Sequence, residues 1–113
     1  MLSCKTDFGE RYTIGNLEIY FTEDISKKYV ESVGEYFKEN NLILDQKHAI
    51  QLTSDHESFI LRMIIDPKLT SLPAEQKLTL KYLESDIKTK VFEGLNFRIE
   101  ICDGNFNPIP SAN

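Results

Sequence analysis

The chain has 113 residues, enough for one domain around one core. With 41% hydrophobic and 11% aromatic residues, a packed fold is expected and disorder is not. The formal net charge is −5 and the 13 Lys and Arg are scattered, with no run longer than Lys27-Lys28. That balance argues against nucleic acid and against electrostatic adhesion to an anionic membrane. No stretch approaches the roughly 18 apolar residues that a membrane span requires, so a membrane partner is expected only through a lipid anchor.

Residues 1–9 read as a flexible N-terminal segment. Within it Leu2-Ser3-Cys4 resembles the tail of a bacterial lipobox, which makes Cys4 the expected lipidation site, although the charged and apolar stretches that precede a lipobox cysteine are not in this sequence. The domain proper is expected over 10–107. Residues 11–14 and 17–22 both alternate polar and apolar, with Gly15-Asn16 as the tight turn between them. Ser26 is a plausible N-cap for a helix whose Tyr29, Val30, Val33 and Phe37 recur at helical spacing. Gly34 costs that helix about 1 kcal/mol against alanine, which implies close packing on a sheet. Asn40-Asn41 supplies the left-handed cap.

Residues 48–53 and 59–65 form the next pair of strands, joined by a polar turn, and the second reads as central because it is apolar on nearly both faces. A second helix is expected from about Ser71, with Pro73 in its first turn, Leu80, Leu83, Ile87 and Val91 as its buried stripe and Gly94 as its stop. A last alternating strand turns Leu95, Phe97, Ile99 and Ile101 inward. Asp103-Gly104 then turns the chain toward a tail, 108–113, in which Pro108 and Pro110 forbid a central strand.

The order ββ-α-ββ-α-β predicts an α+β two-layer sandwich. Without the first short strand it is the ferredoxin-like β-α-β-β-α-β arrangement, with both helices on one face of a mainly antiparallel sheet. A meander of the same elements is the rival. The uncovered face then carries Tyr20, Ile60, Arg62, Ile64 and Arg98 as a candidate contact patch, since Tyr and Arg favour interface cores. The same face read as plain solvated surface holds cross-strand ion pairs such as Arg98 with Glu18 or Glu100.

Catalytic candidates are thin. Asp103, Asn105 and Asn107 have calcium-loop spacing, but Pro108 stands where glycine is needed and no closing glutamate follows, so a plain turn is expected. His48, Asp55 and His56 flank one hairpin and could hold a metal or move protons. Cys102 sits on a strand, without the helix N-terminus or cations that would make it a nucleophile. Glu23-Asp24 suits the start of a helix. No phosphate loop, dinucleotide fingerprint or nucleophile elbow is present, so no cofactor, metal or catalytic residue is expected.

Taken together, Glu18-Ile19-Tyr20-Phe21-Thr22, Val33-Gly34-Glu35-Tyr36-Phe37, Ile50-Gln51-Leu52-Thr53, Val91-Phe92-Glu93-Gly94 and Ile101-Cys102-Asp103 resemble an uncharacterised bacterial family of small lipoproteins or C-terminal modules. The resemblance implies anchoring through Cys4 in the cell envelope and no catalytic residues. The expected function is a non-enzymatic binding or protein-interaction module. The alternatives are a cytoplasmic adaptor that pairs with itself through the open sheet face, and a small hydrolase or metal-dependent enzyme using His48 or His56.

Overall fold

A computed structural model of the chain describes residues 9–64 and 74–109. The elements run β1 (Glu10–Ile14), β2 (Leu17–Phe21), α1 (Lys27–Glu39), β3 (His48–Ser54), β4 (Phe59–Ile64), α2 (Ala74–Lys90) and β5 (Phe97–Cys102). The α+β class and the element order follow the sequence pattern. Ser71, Pro73 and Ile65, on which the expected bounds of α2 and β4 fall, lie outside the described residues.

Local chemistry explains most element ends. β1 and β2 meet at a two-residue turn where Gly15 takes φ +58, the left-handed backbone that such hairpins require at their first central position. Ser26 occupies the N-cap of α1 in extended backbone, yet its hydroxyl makes no capping hydrogen bond, and its carbonyl accepts from Tyr29 instead. At the other end Asn41 adopts φ 56, the Leu42 N–H donates to the Phe37 carbonyl at 2.8 Å and the Asn41 N–H to Lys38 at 3.3 Å. That is a Schellman motif closed by asparagine. Gly34 sits where a Cβ would lie 3.2 Å from the Tyr12 ring and 3.3 Å from Ile14, so its hydrogen lets α1 approach the sheet.

The strands stand side by side in chain order, β1-β2-β3-β4-β5. β1–β2 and β3–β4 are antiparallel, whereas β2–β3 and β4–β5 are parallel. The sheet is therefore mixed and not mainly antiparallel, and its order corrects the ferredoxin-like expectation. Alternation fixes which face a side chain takes, and carries nothing about which strand lies beside it. In ferredoxin-like order the two crossovers move in opposite directions across the sheet, so both can be right-handed with the helices on one face. Here both move the same way while strand direction reverses between β3 and β4. With α1 and α2 on one face, the two crossovers have opposite hands, and one is of the left-handed kind that few such units adopt.

That helices share a face is plain from the core. Leu17, Ile19 and Phe21 of β2, Ile50 and Leu52 of β3, Leu61 of β4 and Phe97 of β5 pack with Val30, Val33 and Phe37 of α1 and Ile87 of α2. One end is filled by aromatic rings. Phe92 lies 4.5 Å from Phe59, 4.9 Å from Phe97 and 5.1 Å from Tyr29 between centroids. Leu95, expected to point inward, is 49% exposed and precedes β5.

The second face is not bare either. After β5 the chain turns at Asp103, whose carboxylate accepts from the N–H groups of Asn105 and Asn107 at 2.8 and 3.1 Å. This is the turn chemistry that competes with a calcium reading. Phe106 is 3% exposed, and its ring meets Tyr20 edge-on at 6.2 Å. Pro108 bridges Cys102, and Ile109 donates to Ile101 at 2.9 Å, along the free edge of β5. Residues 108 and 109, read from sequence as tail, are thus bonded to the sheet.

Candidate functional site

At the end of the sheet opposite the aromatic cluster lies a cleft of about 380 Å³. Phe37 and Leu42 form one wall. They are the C3 and C″ residues of the α1 cap, a pair that a Schellman motif brings into contact. Leu44 follows in the connecting loop, Ala49 and Ile50 come from β3, Met63 and Ile64 from β4, and Leu83 from α2. Among the described residues His48 is the one polar side chain of the lining. Volume and apolar lining with a single polar group match the usual make-up of small-molecule sites.

The loop wall is held by three hydrogen bonds. His48 Nε2 accepts from the Leu44 N–H at 3.0 Å, Asn16 Nδ2 donates to the Leu44 carbonyl at 3.1 Å, and the His48 N–H donates to the Asn16 carbonyl at 3.0 Å. The imidazole is therefore neutral as it stands, with its other nitrogen protonated. Burial lowers its pKa below the ordinary 6.5, because a charged ring would be desolvated there.

The residues expected to form the contact patch fall into different settings. Ile60 is 3% exposed and offers no surface to a partner. Tyr20 is half-buried against Phe106. Arg62 donates to Glu100 at 3.1 Å and to Gln51 at 3.3 Å, and Arg98 donates to Asp55 at 2.9 Å and Glu100 at 3.0 Å. The foreseen Arg98–Glu100 pair is there, whereas Glu18 pairs with Arg11 at 3.3 Å. Ile64 remains exposed, at the lip of the cleft. Cys4 lies outside the described residues.

The catalytic candidates do not converge. His48 and His56 sit at opposite ends of β3, so they cannot share a metal or a proton path. Ser54 and Thr22 both donate to Asp24, and although burial works to raise that carboxyl, these two bonds hold it low. Ser54 thereby donates its hydrogen bond directly to a carboxylate, without the interposed imidazole of an activated nucleophile. Cys102 is fully buried, which pushes its thiol up to about 11. Among the described residues no group of three or more His, Cys, Asp and Glu is placed to hold a metal ion.

Of the site residues singled out from sequence, His48 and Ile64 line the cleft, and its other seven lining residues were not foreseen. The available signal was the apolar run Leu42-Ile43-Leu44, anomalous in a connection that should be polar.

Fold and cleft together define a small α+β domain of one mixed sheet under two helices. Residues 11–112 match the AF_1994_N family, described as a family N-terminal domain, and the chain belongs to that family. The description carries no activity, no lipid anchor and no source. No curated protein and no solved structure matches the chain.

Proposed function

We propose that this domain is a non-enzymatic binding module and that its working surface is the apolar cleft between the α1 cap, the β3–β4 end and α2. The observation that carries the reading is the lining itself. Among the described residues, eight of the nine side chains around it are apolar, yet Leu44 and Ile64 remain 53% and 38% exposed. Elsewhere the polar side chains that catalysis would need are bonded to one another, as in the Asp55–Arg98–Glu100–Arg62 chain and the Ser54–Asp24–Thr22 cluster. The ligand class that suits the cleft is a small, uncharged, apolar molecule, because among the described residues no lining side chain carries a formal charge to pair with an ion.

Titration with the neutral fluorescent probe N-phenyl-1-naphthylamine tests this. Saturable one-to-one binding is expected, weakened about tenfold by Leu44→Glu, which sets a charge on the lip. Leu44 is half exposed, so that exchange spares the core. Leu78→Glu on the outer face of α2 should change nothing. Equal binding by both variants would remove the cleft from the account.

A further inference from the structure

The side chain that supplies the cleft's one polar group among the described residues also fastens its Leu44 wall. Leu44 is held at its N–H by His48 Nε2 and at its carbonyl by Asn16, and both Leu44 and His48 line the cleft. A lone pair accepts the Leu44 N–H, and protonation of that nitrogen removes the lone pair and turns the acceptor into a competing donor. Hence the bond and the charge state of His48 are mutually exclusive.

We propose that His48 is a proton-operated latch: neutral, it pins Leu44 and keeps the cleft formed for an apolar ligand; protonated, it frees the Leu44 wall, puts a charge in the cleft and releases the ligand. This rests on the binding reading above and adds its regulation.

The surroundings favour a response to pH alone. Among the described residues, α1 presents Phe37 to the cleft, α2 presents Leu83, and β4 presents Met63 and Ile64, all without charge. The charged residues nearest in the chain, Asp45 and Lys47, are exposed. Burial is the one cause that moves His48, and it moves it down. The latch is therefore shut at neutral pH and opens as pH falls through a value below the ordinary 6.5. Loss of one hydrogen bond to a neutral acceptor corresponds to an affinity drop of about 2- to 10-fold, to which the charge adds.

Two measurements on the whole chain test the latch and separate it from the binding reading. In the free protein, the NMR resonance of the Leu44 amide should shift with the same midpoint as the His48 ring, and its hydrogen-exchange protection should fall below that midpoint. With the naphthylamine probe, affinity should drop between about pH 7.5 and about pH 5 in wild type. His48→Gln keeps an acceptor for Leu44 without a titrating proton and should flatten the profile. His56→Gln, at the far end of β3, should retain it. A Leu44 amide indifferent to the His48 titration overturns the latch whether or not the probe binds. Binding that is equal at both pH values overturns it while leaving the cleft a ligand site. Absence of binding at every pH defeats the binding reading and the release step with it.

Discussion

Asp55 shows how a sequence position that looked catalytic is accounted for by its bonds. Its carboxylate accepts from the backbone N–H of Glu57, from Arg98 and from the N–H of Ser58, and its pKa falls to about 2. A carboxyl lowered in the native state stabilises the fold at pH values above the unfolded value of 3.8, and that stability is lost as pH falls through about 2. The urea midpoint of the wild type is thus expected to drop across the acid range from about pH 5 to about pH 2, and Asp55→Asn should flatten that limb. An unchanged acid limb in the variant would mean that the hairpin turn does not depend on this charge.

α2 is an element with two unequal apolar faces. Ile87 is 1% exposed, and Leu83 and Leu80 pack above the sheet, whereas Leu78 and Tyr82 point away and are each 68% exposed. Sequence periodicity selected Leu80, Leu83, Ile87 and Val91 as the buried stripe, because that set satisfies helical spacing. It was silent on Leu78 and Tyr82, which lie about half a turn away. Ile87→Ala should cost about 2–5 kcal/mol by removing buried carbons and leaving a cavity. Leu78→Ala should stay within about 0.5 kcal/mol, as expected for an exposed helix position. Chemical denaturation of the two variants checks both, and equal losses would mean that the outer face of α2 is covered in solution. Tyr36 adds a lateral tie: its hydroxyl donates to Asp86 at 2.5 Å and fixes the approach of α1 to α2.

At the scale of the whole molecule, helices cover one face of the sheet and the C-terminal turn seats Phe106 against Tyr20 on the other. Cys102, the last residue of β5, is fully buried under that arrangement. In a Cys4→Ser background its thiol should react with a disulfide reagent about a hundredfold more slowly when folded than in urea, since burial depletes the thiolate. Phe106→Ala, which removes the ring seated against Tyr20, should speed that labelling before it unfolds the chain. Labelling as fast as in the unfolded chain would show that the turn does not seal this face.

What the residues fix by themselves is local. Alternation in 17–22 and 95–102, helical spacing around Val30, Val33 and Phe37, Gly15 at the hairpin and Asn41 at the helix end all act within a few residues, and of these only the strand ends moved, Leu95 falling outside β5 and Thr22 outside β2. Neighbour order is another matter. β4 sits between β3 and β5 because of contacts 38 residues apart in the chain, such as Arg62 with Glu100, and a period-two pattern is the same in any strand order. The cleft has the same origin. Phe37 and Leu42 are paired by a cap legible in the sequence, but Met63, Ile64 and Leu83 join them only once the sheet has formed and both helices have docked on it. Burial of Phe106 against Tyr20 likewise needed the C-terminal turn to fold back. Patterning dictates which side of an element is apolar, and only the assembled tertiary structure decides which apolar surfaces find one another and which are left open.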